Sequence, residues 1–268
     1  MKKTTLVTVK YLFFIIITSS YCFTFNALAN EVKLIVKKTS QLPINGLESD
    51  GTAANLIGFI GGKGIKNKNG KSRNFLVREK FTFFNAGLNF YIFPNFSSNT
   101  NASYKIRNSI EQNNRITALI NFLKKRNSKP IYLVGFSRGS VDVANYYSKY
   151  NASIKGIILV SGIYKNKSKK AKSFSMGKIF GKQSIERILI VHHKKDACLV
   201  SKPSEAHKFF KNISAIKKDF FFFNLGSLTG KKCGPFHHHG YEGIENKVVK
   251  KIANWILNQQ NKKKQKLD

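Results

Sequence analysis

Short, continuously apolar runs alternate with longer stretches of helical period along most of the chain, and this alternation restricts the fold more than any other feature. The apolar runs fall at 32–36, 56–60, 88–93, 131–135, 156–160, 187–191 and 219–223. Between them, 74–86, 104–125, 138–150, 205–210 and 242–257 read as helices. In 104–125, Ile106, Ile110, Ile116, Leu119, Ile120 and Leu123 fall near one face. Strands separated by helices imply βαβ units, and so an α/β fold with a mostly parallel sheet covered on both faces. Strands apolar along their whole length fit that burial. The stretch through Pro43, Gly46 and Gly51 reads as turns. In such sheets ligands bind beyond the carboxyl ends of the strands, so the residues that follow each run are the ones to inspect.

The N-terminus has its own logic. Lys2, Lys3 and Lys10 precede and flank the apolar run 11–17, and Ala27-Leu28-Ala29 supplies a small-x-small cleavage pattern. This three-part arrangement predicts a signal peptide over 1–29 and an exported protein, periplasmic or secreted. A retained anchor is the rival reading. It is disfavoured because Thr18, Ser19 and Ser20 interrupt the run well short of the roughly 20 residues a bilayer requires. A lipoprotein signal ending at Cys22 is a third reading, and Ser19-Ser20-Tyr21 leads into it poorly. Residues 30–260 then suit one domain with one core, followed by a basic tail, 261–268, expected to be disordered.

The formal net charge is +34. Such a surface attracts anionic partners, whether acidic lipids, acidic glycans or nucleic acid. Because the lysines are spread along the chain, the favoured reading is a solvated cationic face that meets anionic surfaces nonspecifically, with no specific nucleic acid. Oligomeric state is not legible. Without Cys22, two cysteines remain in a chain read as exported, so a Cys198–Cys233 disulfide is the default, with two free thiols as the alternative.

Gly135-Phe136-Ser137-Arg138-Gly139 fits G-x-S-x-G. The pattern requires a strand to turn sharply into a helix with the serine at the corner, its glycines permitting close strand–helix approach. Here the run 131–134 leads in and 141–147 continues as a helix. The serine's oxygen would project at the helix N-terminus, where the dipole favours developing negative charge. The competing reading is a tight turn whose serine only caps the helix.

A nucleophilic serine needs a base and an acid. Asp196 lies just past the run 187–191, where a loop leaving a buried strand can present a carboxylate. Asp142, one helical turn beyond Ser137, reads as a surface or helix-side contact, and Glu205 and Glu242 as first-turn helix acids. His237, His238 and His239 cluster before the last helix. They also suggest a metal site, but adjacent residues rarely aim three rings at one ion, and no nearby acid or cysteine completes a tetrahedral set. His192 and His193 read as packing near the site, and His207 as a helix residue. A Cys198–Cys233 bridge would tie the acid loop to the histidine loop.

Three segments together, Gly135-Phe136-Ser137-Arg138-Gly139, His192-His193-Lys194-Lys195-Asp196-Ala197-Cys198 and His239-Gly240-Tyr241, resemble the α/β-hydrolase superfamily. More closely, they are similar to exported bacterial serine hydrolases with GxSRG, HHxxDxC and HGF-type motifs. Asn74-Phe75-Leu76-Val77-Arg78 is similar to that group as well, and the resemblance spans about residues 52–258. Tyr241 stands where phenylalanine is usual. Lys63 stands where an acid or a small residue is common. The resemblance implies an α/β-hydrolase fold with Ser137 as nucleophile, Asp196 as acid and His239, the histidine before the glycine, as base.

The implied reaction is hydrolysis of a carboxylic ester or related acyl bond through an acyl-enzyme, with no cofactor. Oxyanion donors are expected from the amide of Arg138 and from the loop holding Gly62 and Lys63. The gap from Ser161 to Glu186 is 26 residues and lysine-rich, too short for a large lid. An open site suits small or extended acyl substrates, and Lys63 together with that segment would favour acidic ones. The alternative from a different class is a non-catalytic cationic binding protein on the same scaffold.

Overall fold

The computed structural model describes residues 29–166, 171 and 173–264. All but Ala29 of the expected signal peptide lies outside these residues, as does the end of the expected tail; the last helix runs on to Lys264. In chain order the strands are β1 (Asn30–Leu34), β2 (Ile44–Glu48), β3 (Ala54–Phe59), β4 (Leu88–Ile92), β5 (Ile131–Phe136), β6 (Gly156–Val160), β7 (Ile185–His193) and β8 (Ala215–Phe223). The helices are α1 (Phe75–Arg78), α2 (Lys80–Asn85), α3 (Tyr104–Arg107), α4 (Ile110–Asn127), α5 (Ser140–Lys149), α6 (Met176–Phe180), α7 (Pro203–Asn212) and α8 (Glu245–Lys264).

All eight strands join one sheet in the order β1-β2-β4-β3-β5-β6-β7-β8. β1, β2 and β4 pair antiparallel, and every pairing from β4 through β3 to β8 is parallel. The parallel strands β3, β4, β5 and β6 are buried at every position, as continuously apolar runs require. Edge strand β8 is only half-buried in spite of its four phenylalanines. One face of the sheet packs against α4, α5, α6 and α7 through residues such as Leu119, Val143, Met176 and Phe209. The other packs against α1, α2 and α8 through Leu76, Phe83, Val248 and Ile252. Truncating one such side chain, Leu119→Ala for example, would cost about 2–5 kcal/mol.

The structure departs from the sequence reading in three instructive places. The turn-rich stretch contains β2, and its Gly46 sits opposite Tyr91 of β4, where a Cβ would lie 2.6 Å from the tyrosine ring. The glycine marks a close approach between strands and not a turn. Two expected helices are each divided. Ser109 accepts from the Gln112 amide at 3.1 Å and opens α4 afresh after α3, a side-chain cap that interrupts the helical spacing. Likewise 74–86 breaks at Glu79 into α1 and α2. The connection from β6 to β7 carries α6, and among the described residues no cap domain covers the sheet.

Candidate active site

Three loops at the carboxyl ends of β5, β7 and β8 meet at one edge of the sheet. β5 runs directly into a single turn, Ser137–Gly139, and then α5. Ser137 has φ of 52°, a left-handed conformation that non-glycine residues adopt only where the surroundings impose it. Its neighbours show why. A Cβ on Gly135 would lie 2.7 Å from the Cα of Ser140, and one on Gly139 would overlap the Phe59 carbonyl. Ser140 Oγ donates to the Ser137 carbonyl at 2.7 Å and accepts from the Ile163 amide at 3.1 Å, fastening the corner.

Asp196 follows β7 and is buried, as is His239 in the turn His238–Gly240. Asp196 Oδ2 lies 2.8 Å from His239 Nδ1. A carboxylate only accepts, so Nδ1 is the donor in this bond, and in the neutral imidazole that leaves the lone pair on Nε2. Asp196 Oδ1 accepts from the Cys198 amide at 2.9 Å, which aims the carboxylate. His239 Nε2 is buried and has no hydrogen-bond partner, Ser137 included. The His239 ring sits 5.2 Å from the ring of Phe136, the residue before the serine.

The histidine turn is clamped from several sides. Arg78 donates to the Pro235 carbonyl at 3.1 Å and to Glu245 at 2.5 Å, and its guanidinium lies 5.0 Å over the Phe236 ring. A Cβ on Gly240 would run into the Pro235 backbone, a physical reason for glycine after this histidine. Cys198 and Cys233 form a disulfide, joining the loop after β7 to the loop before the histidines.

Gly61, Gly62 and Lys63 follow β3. A Cβ on Gly61 would lie 2.9 Å from the Ser137 Cβ, so this loop passes directly beside the serine. Gly62 has φ of 60° and is exposed, as is Lys63. The amides of Gly62 and Lys63 have no backbone acceptor among the described residues. Arg138 places its guanidinium 4.6 Å over the Tyr104 ring, which stacks on Phe174.

The remaining histidines take separate partners. His193 and His238 stack at 4.2 Å, His193 Nε2 pairs with the Leu225 carbonyl at 2.8 Å, and His238 Nδ1 pairs with the Lys195 carbonyl at 3.1 Å. Among the described residues no group of three or more metal-ligating side chains converges. His192 is fully buried, with Nε2 2.9 Å from the Ser201 carbonyl and 3.9 Å from Asp196. Burial pushes its pKa down to about 4, although Asp196 opposes the shift. His207 lies exposed on α7.

Of the two readings of Asp142, a surface or a helix-side contact, the structure removes the first. The side chain is completely buried and ion-paired with Arg107 of α3, not at the surface. No spacing links two residues 35 apart, and only an unpaired acid on the apolar side of α5 hinted at a partner. Ser161 was equally hidden; it and Tyr241 both sit at positive φ beside the histidine turn.

Neither a protein-family model nor a curated protein matches the sequence. Solved structures do resemble the chain. Est1E from Butyrivibrio proteoclasticus aligns with a TM-score of 0.59 at 13% identity, over 87% of this chain and 99% of its own. A dienelactone hydrolase from Anabaena variabilis aligns at 0.57 and 10% identity, over 86% and 98%. XC6422 from Xanthomonas campestris, described as an α/β serine hydrolase without a lid, aligns at 0.54 and 10% identity, over 87% and 94%. With the sheet order and the sharp turn after β5, these likenesses identify the architecture: the chain has the α/β-hydrolase fold.

Proposed function

We propose that this protein is a serine hydrolase that cleaves carboxylic esters through an acyl-enzyme, with Ser137 as nucleophile, His239 as general base and Asp196 as the acid that orients it. The observation that carries the reading is the Asp196–His239 contact at 2.8 Å, which leaves a buried His239 Nε2 without a partner beside the strained serine turn. A buried polar atom left unpaired requires an explanation, and a base whose partner tightens only on substrate binding supplies one.

In this mechanism Nε2 takes the Ser137 proton as Oγ bonds to the acyl carbon. The carbonyl electron pair moves to oxygen, where the amides of Arg138 and of the Gly62–Lys63 loop receive the charge. The tetrahedral intermediate collapses, Nε2–H protonates the departing alkoxide, and water, deprotonated by the same nitrogen, releases the acid. No cofactor enters the scheme. Lys63, exposed beside the serine, favours substrates carrying negative charge. A signal peptide over 1–29 and export fit the disulfide, and nonspecific contact with anionic surfaces fits the charge of +34.

Labelling with a fluorophosphonate tests the assignment. The oxidised protein should be labelled, and the Ser137→Ala and His239→Ala variants should not. Folded wild-type protein that resists the probe would overturn this reading in favour of a non-catalytic cationic binding protein.

A further inference from the structure

Through its side chain Arg107 reaches both α5, which follows the Ser137 turn, and the loop that passes beside that turn. Its side chain is buried. Nε donates to the Ala102 carbonyl at 3.0 Å, and Nη2 donates to the Ile60 carbonyl at 2.9 Å, with a longer contact of 3.5 Å to the Gly62 carbonyl. Nη1 is ion-paired with Asp142, which stands on α5 one turn beyond Ser137. Asp142 accepts with its other oxygen from Gln112 Nε2 at 2.5 Å. Each carboxylate oxygen thus has a donor, and the guanidinium is held by Asp142 on one side and by the Ala102 and Ile60 carbonyls on the other.

A trans peptide points its C=O and N–H in opposite directions. Drawing the Ile60 and Gly62 carbonyls back onto Arg107 therefore turns the Gly61 and Lys63 amides the other way. Gly61 lies against the Ser137 Cβ, and the Lys63 amide has no backbone acceptor. We propose that Arg107, anchored by Asp142, is a positioning residue that holds the 60–63 loop with its amides aimed at the oxyanion and keeps that loop in register with the nucleophile turn. This inference rests on the site assignment above and adds what sets the geometry of its oxyanion donors. The need for such a support is plain, since Gly62 at positive φ has no side chain with which to brace the loop.

The test compares wild type with Arg107→Lys and Asp142→Asn, using a short p-nitrophenyl ester and a phenylboronic acid, which forms a tetrahedral anionic adduct on an active serine. Losing one well-placed oxyanion donor costs about 10²–10³ in rate, and a misdirected one part of that. Arg107→Lys should lower kcat about 10–100-fold with KM within twofold, and should weaken the boronate by a similar factor. Asp142→Asn keeps an acceptor for Gln112 but turns a donor toward Arg107 Nη1, so it should also lower both, and it carries the test if Arg107→Lys does not fold. A role in stability alone would lower the midpoint of unfolding and leave kcat per folded molecule and boronate affinity unchanged. Either folded variant within twofold of wild type on both readouts would overturn the positioning role, as would failure of both to fold. A wild-type protein that neither turns over the ester nor binds the boronate would overturn the site assignment itself.

Discussion

Tyr241 donates its phenol proton to the Val191 carbonyl at 3.0 Å, tying the histidine turn to the end of β7 from inside the protein. Ser161 Oγ reaches both the same phenol, at 3.0 Å, and the His239 carbonyl, at 3.1 Å. All of these atoms are buried, and burial holds the phenol well above its usual pKa. A phenylalanine at this position would fill the same space without the hydroxyl. Val191 O would still accept from the Ser161 amide. Tyr241→Phe should therefore cost only about 1 kcal/mol, read as a shift in the urea midpoint with an unchanged slope. Ester turnover should stay within a few-fold.

The Asp196–His239 contact makes a sharper demand. In Asp196→Asn the side-chain amide would present a donor or a rotated carbonyl to Nδ1, and the ring would be free to hold its proton on Nε2, the nitrogen that must accept from Ser137. Turnover should fall by about 10⁴ at neutral pH while the fold, judged by near-UV circular dichroism, is retained. A fall of less than tenfold would remove Asp196 from the proposed triad.

Reduction of the Cys198–Cys233 bridge should act on both stability and the site. The bond closes a loop of about 36 residues, and opening it should cost about 3–4 kcal/mol in the chain-entropy account. It also frees the Cys198 backbone, whose amide aims Asp196 Oδ1. A Cys198→Ala, Cys233→Ala protein should unfold at lower urea and react with a fluorophosphonate more slowly than wild type. Equal midpoints with and without dithiothreitol would show that the bridge contributes nothing.

Much of this was legible in the sequence, for physical reasons that also mark where legibility stops. Strands covered on both faces are buried at every position, so β3, β5, β6 and the second half of β7 announce themselves as largely apolar runs. Ser137 and Asp196 could be named as candidates because each follows a strand end, and His239 because it precedes a glycine before the last helix; the two cysteines left after Cys22 do form a disulfide. Strand β2 was hidden because Gly46 imitates a turn while making room for Tyr91. The breaks at Glu79 and Ser109 were hidden because the apolar residues on either side still read as one helical run in the sequence. The Arg107–Asp142 pair was out of reach for a different reason: an arginine within a segment read as one helix, 104–125, reads as solvated until its neighbours in space are known. Nothing local to Asp142 says that α4, α3 and the loop after β3 close over it.

His192 gives the fold a pH dependence with a definite sign. Its ring is buried between β7 and the Ser201 carbonyl, edge-on to Tyr164 at 5.8 Å, with Asp196 at 3.9 Å as the nearest opposing charge and His239 and His193 as like neighbours. Burial dominates and lowers the pKa from 6.5 to about 4. The unfolded chain therefore binds a proton at a pH where the native protein does not. Stability from this group is complete above about 6.5 and declines as pH falls toward about 4, by a total of about 3 kcal/mol. Burial also lowers His193 and His237, and they add to the same trend. Urea unfolding between pH 7 and pH 4 should show this decline in wild type, and His192→Gln, which cannot titrate there, should flatten it. An equally steep decline in the variant would assign the pH dependence to other groups.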